Sequence, residues 1–84
     1  MVEIRERRTF RGAWHIIELQ DGTREVRIIY YATQPNDSRL LVYRCAPGGR
    51  AFLGEIARFP NDALLSAIEC AYRMLADWPA NIEP

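Results

Sequence analysis

One dipeptide constrains this chain more than any other feature. Asp21-Gly22 stands between two stretches rich in β-branched and aromatic residues. Asp-Gly supplies the positive φ values of a two-residue hairpin turn, here expected as type I′. A strand over about Thr9–Gln20 and a second over about Thr23–Thr33 follow from it. Gln34-Pro35-Asn36-Asp37 is a second turn cluster, because Pro sets φ and Asn and Asp bond their own backbone. A third strand is expected at about Arg39–Cys45. Pro47-Gly48-Gly49 turns the chain again into a fourth strand at about Arg50–Arg58.

After Phe59-Pro60 the apolar period changes from two to 3.6. A helix is expected over 61–78, with Asn61 or Asp62 as N-cap and Pro79 as its stop. Leu64, Leu65, Ile68, Ala71, Tyr72, Leu75 and Trp78 fall in one arc of about 140° and form the expected core face. Ser66, Glu69, Arg73 and Asp77 make a polar stripe. Ala63, Ala67, Cys70 and Met74 make a second flank of mostly small residues. The fold class is therefore α+β: an antiparallel four-stranded meander, ββββα, with one C-terminal helix packed on one face. At 84 residues the chain reads as a single domain. Residues 1–8 are a charged segment, flexible or folded over the sheet, 9–58 the meander and 61–78 the helix.

Counting outward from the turns sorts the side chains by face. One face collects Ala13, His15, Ile17, Leu19, Val26, Ile28, Tyr30, Leu41, Tyr43, Phe52 and Ile56, and is expected under the helix. The other has a charged end with Glu18, Glu25, Arg27 and Arg44. Its apolar end holds Phe10, Trp14, Ile16, Ile29, Tyr31, Leu40, Val42 and Leu53. A single helix leaves that end uncovered, and exposed apolar patches of this kind mark interaction sites. Phe10, Trp14, Ile16, Ile29, Tyr31, Leu40 and Val42 are therefore the candidate interface.

Catalytic and metal-binding chemistry finds little purchase. His15 is the only histidine and is expected in the core. Cys45 and Cys70 match no zinc spacing and are expected as reduced, buried thiols. Ser38 and Ser66 lack a nucleophile-elbow context. Glu18 and Glu25 sit beside Arg27 and Arg44 and read as a cross-strand charge cluster. Gly48-Gly49 belongs to no phosphate loop. The chain is read as no enzyme, with no cofactor and no metal. It has no apolar run near the roughly 20 residues of a membrane span and no leader-like N-terminus, so a cytoplasmic location is expected.

Two resemblances add to this reading. Thr9-Phe-Arg-Gly-Ala-Trp-His-Ile16, with Phe59-Pro60 and the spaced Ala63, Ala67 and Ala71, resembles a set of small uncharacterised bacterial proteins. These have a β-meander followed by one C-terminal helix, and the resemblance implies that fold and a bacterial source. The order of strands then helix is also similar to single-stranded-DNA-binding coactivators of the positive-cofactor-four type.

Eleven Arg, no Lys and eleven acidic residues give a net charge of zero, which disfavours nucleic acid as a partner. The leading expectation is a non-enzymatic module that homodimerises or binds a protein through the apolar sheet face. The alternative is a single-stranded nucleic-acid binder that uses the aromatic and Arg residues.

Overall fold

The computed structural model describes residues 1–8, 14–31, 33–46 and 52–79. An antiparallel sheet of five strands carries one C-terminal helix. The strands are β1 (Glu3–Arg8), β2 (Trp14–Asp21), β3 (Arg24–Tyr31), β4 (Leu40–Cys45) and β5 (Phe52–Phe59), and the helix is α1 (Leu64–Ala76). Strand order follows chain order, so every ladder joins sequence neighbours.

The expected count of four strands is short by one. The charged segment pairs with β2 along its whole length, from Glu3↔Gln20 to Arg8↔His15. Its composition, Glu-Ile-Arg-Glu-Arg-Arg, is that of an edge strand whose charges discourage further pairing.

The first hairpin closes on Asp21↔Arg24, with Gly22 and Thr23 as the loop. Gly22 has φ +63 and no other residue described at this turn has positive φ. That sign pattern belongs to type II′, where Gly takes the first central position, rather than type I′. Ile17 consequently faces Ile28, and Leu19 faces Val26. The register differs from expectation by two residues in total, so the sorting of β2 and β3 by face is preserved.

Sorting in β4 and β5 is reversed. Asn36–Ser38 forms a short 3₁₀ turn, and the Tyr31 N–H donates to the Arg39 carbonyl at 2.8 Å. Tyr30 then faces Leu40, and Ile28 faces Val42. Leu40 and Val42 therefore lie under α1, while Leu41 and Tyr43 point the other way. Ile56, opposite Tyr43, goes with it. A one-residue difference in loop parity moves every side chain of a strand to the opposite face. Near the start of β5, Gly54 at φ +81 and Glu55 intervene between the partners of Arg44 and Tyr43. Glu55, one residue before Ile56, lies on the helix side by simple alternation, and the bulge makes Leu53 the partner of Arg44. Phe10 and Ala13 lie outside the described residues, as do the side chains of Trp14 and Phe52.

The helix is also rotated from its expected orientation. Its buried residues are Ala67, Cys70, Ala71, Met74 and Leu75. The small-residue flank, and not the Leu64, Leu65 and Tyr72 side, meets the sheet. Ala67 and Ala71 let the helix axis approach the strands closely, and their side chains are fully enclosed. Neither Asn61 nor Asp62 is the N-cap. Ala63 holds that position without a side-chain bond, after a turn closed by its N–H on the Pro60 carbonyl at 3.0 Å. At the other end, Asp77 donates its N–H to Arg73 at 2.8 Å, and the helix stops where Pro79 requires.

Leu19, Val26, Ile28, Leu40 and Val42 pack with the helix residues as the main core, joined by Val2, Ile17, Phe59 and Trp78 at its margin. Burying each such side chain contributes about 1.5–3 kcal/mol.

Candidate interaction surfaces

Three surfaces carry chemistry: the sheet face away from the helix, the outer side of the helix, and the groove between α1 and β5.

On the sheet face away from the helix, Ile16, Ile29, Tyr43 and Cys45 form a second buried cluster, with Tyr31 and Ile56 at its margin. The apolar patch expected to lie open here is enclosed within one chain at Ile16 and Ile29. Of the expected interface, Leu40 and Val42 belong to the core beneath the helix, Tyr31 is half-buried, and Phe10 and the Trp14 side chain are outside what is described.

Beside this cluster sits an ionic group. Arg27 donates Nε to Glu25 Oε2 at 2.8 Å and reaches Glu18 Oε2 at 3.0 Å, and all three side chains are largely buried. The expected cross-strand cluster of Glu18, Glu25 and Arg27 is thus brought together, without Arg44. Burial pushes the Cys45 thiol up to about 12, against the pull of Arg27, and raises the Tyr43 phenol to about 12. A thiol held so firmly protonated is a poor nucleophile.

Arg44 instead serves the helix. It is only 6% exposed. Its Nε donates to the Met74 carbonyl and its Nη2 to the Asp77 carbonyl, both at 3.1 Å. These carbonyls lie at the C-terminal end of α1, where the helix dipole favours a cation. The guanidinium also lies 5.7 Å from the Trp78 ring centre, and Arg24 lies 5.8 Å from the same ring. No signal in the sequence singles out Arg44 for this role, because it depends on which face of β4 meets the helix.

The outer side of α1 is the open apolar surface. Leu65 is 78% exposed and Tyr72 42%, Leu64 is exposed as well, and Ile68 is half-buried. Leu65, Ile68 and Tyr72 are spaced i, i+3, i+7 and so share one line along the helix. The helix rests chiefly over β3 and β4. On the same side of the sheet, Ile4 of β1 is therefore 54% exposed. Below the N-terminal end of α1, a pocket of about 140 Å³ is lined by His15, Ile17, Tyr30, Leu40 and Leu64, among others. His15 is half-buried at its side, with Nε2 2.7 Å from Glu6 Oε1. The histidine expected in the core therefore ties β1 to β2.

On the opposite flank of α1, a groove of about 440 Å³ opens against β5. Ala57, Phe59, Cys70 and Met74 line it, together with charged groups at one end.

Among the described residues no three His, Cys, Asp or Glu side chains cluster as metal ligands would. Cys45 and Cys70 are free thiols, buried on opposite faces of the sheet. No described helix is long and apolar enough to cross a membrane. Comparison with family models, curated proteins and solved structures returned no match to this chain.

Proposed function

We propose that this chain is a non-enzymatic cytoplasmic module that self-associates, with the outer stripe of α1 as the contact. The exposure of Leu65, Tyr72 and Ile4 carries this reading. An apolar stripe spaced i, i+3, i+7 is the form in which one helix packs on another. A two-fold axis covers the stripe with its own copy. With the helices antiparallel, Leu65 of one copy meets Tyr72 of the other. Zero net charge leaves no overall repulsion between copies. The small size of the domain favours association, since a chain of this length buries only roughly 60–65% of its unfolded surface. The nucleic-acid reading finds less support, because Arg27 is engaged by Glu18 and Glu25 and the aliphatic residues beside it are enclosed.

Light scattering tests the proposal. At about 50 µM, in the micromolar range where modest interfaces assemble, the particle should have twice the 9.7 kDa mass of one chain. Leu65→Glu should reduce it to a folded monomer with an unchanged circular dichroism spectrum, since Leu65 contributes little to the core. A 9.7 kDa particle for the unmodified chain would overturn the reading.

A further inference from the structure

We infer that the pocket below the N-terminal end of α1 binds a small uncharged aromatic alcohol, of which phenol is the simplest. The inference does not rest on self-association, because the pocket is built within one chain.

Three strands make its floor. His15 of β2 faces Tyr30 of β3, and Tyr30 faces Leu40 of β4, so the three form one row across the sheet on the helix side. Ile17 and Ile28 form the next row. Asn61, in the turn before α1, and Leu64, at the first position of the helix, make the rim above them. Ala67 is fully enclosed, whereas Leu64, one turn earlier, is 40% exposed. Close contact with the sheet thus begins one turn into α1, and a space of about 140 Å³ is left before it.

Size, charge and hydrogen bonding each narrow the occupant. A cavity of about 150 Å³ with aliphatic walls holds one benzene ring. Two isoleucines and two leucines supply such walls here, and the rings of His15 and Tyr30 offer an aromatic guest an edge or a face. Among the described residues the lining has no Asp, Glu or Arg. His15 Nε2 is 2.7 Å from Glu6 Oε1, so a charge on the ring is already matched by a carboxylate. An ion entering the pocket would lose water and gain no counter-charge. Polar groups are nonetheless to hand. Among the described residues neither the Tyr30 hydroxyl nor the Asn61 amide has a hydrogen-bond partner. Each can both donate and accept, as a guest hydroxyl does. A single ring with one hydroxyl uses the walls and these groups together. A plain hydrocarbon leaves the groups unused, and a second fused ring exceeds the space.

The probe is phenol, titrated into the isotopically labelled full chain and followed by amide chemical shifts. Saturating shifts should centre on residues 15–17, 28–30, 40 and 61–64, with a dissociation constant of about 1 mM. Toluene, benzoate and naphthol should each bind at least about threefold more weakly. Tyr30→Phe should bring phenol to the level of toluene and leave toluene unchanged. Leu64→Trp should fill the space and abolish binding; Leu64 is exposed, and an unaltered spectrum in β3 and β4 reports the fold. Four outcomes overturn the inference: no saturation by about 10 mM phenol, shifts confined to Leu65 and Tyr72, equal binding of phenol and toluene, or unchanged binding to a folded Leu64→Trp variant. Tighter binding of benzoate than of phenol would also overturn it, since the pocket would then hold an anion.

Discussion

Both faces of the sheet are closed to solvent at their centres, by different means. On one face α1 is laid down through Ala67, Cys70 and Ala71, and the enclosed residues are aliphatic: Leu19, Val26, Ile28 and Val42. On the other, Ile16, Ile29, Tyr43 and Cys45 lie beside Arg27 and its two glutamates. The first face is held by area and fit, so its losses should scale with volume removed. The second depends on charges that are tolerable only together, so its losses should depend on which partner is left behind.

The sharpest test of that difference is Leu19→Ala. Leu19 is fully enclosed under the helix, and its truncation leaves both a transfer loss and a cavity. A loss of about 3 kcal/mol is expected in urea denaturation. A loss below about 1 kcal/mol would mean that this core closes around the void.

Arg27→Met comes next, at about 2 kcal/mol, because Glu18 and Glu25 would be left facing each other with little solvent. Adding Glu18→Gln and Glu25→Gln should restore most of that loss. No comparable rescue should exist for Leu19→Ala. If the triple variant is no more stable than Arg27→Met, fit rather than charge governs this face as well.

The smallest effect is alkaline. The folded state holds the Cys45 proton up to about pH 12, whereas an unfolded thiol releases it from about pH 8.5–9. The associated stability is complete below pH 9 and is lost as pH rises from 9 toward 12. At pH 10 about 1.5 kcal/mol should be gone. Cys45→Ala should flatten that slope between pH 8 and 10.

Much of this architecture can be read from sequence, and the failures share a cause. The Asp21-Gly22 hairpin, the strand positions after it and the end of α1 before Pro79 are local matters, legible from turn chemistry and periodicity. The faces of β2 and β3 follow from the hairpin. Those of β4 depend on whether the Tyr31-to-Leu40 connection holds an odd or even number of residues in its 3₁₀ turn, which composition does not reveal. The helix orientation was ambiguous because α1 is apolar around most of its circumference. Leu64, Leu65 and Tyr72 are larger than Ala67 and Ala71, and size alone favours the wrong side. Close packing on a sheet selects the smaller residues. β1 was hidden because edge strands are charged for the same reason that disordered segments are. The candidate surfaces inherit these ambiguities: periodicity places Leu65 and Tyr72 in the core, and the groove along β5 requires both the orientation of α1 and the facing of Ala57.

The bond from Arg44 to the end of α1 has a kinetic consequence. Each sheet ladder joins strands adjacent in the chain, so hairpins can close in turn with little loop entropy lost at each step. The Arg44 contacts span 30 and 33 residues. They form only after β4 has found its register and the last turn of the chain has swung back over it. Docking of α1 is therefore expected to follow the closing of the hairpins. Any fault in β4 register is registered there, because a shift by one residue would turn Arg44 away from the helix and leave its last carbonyls without their cation.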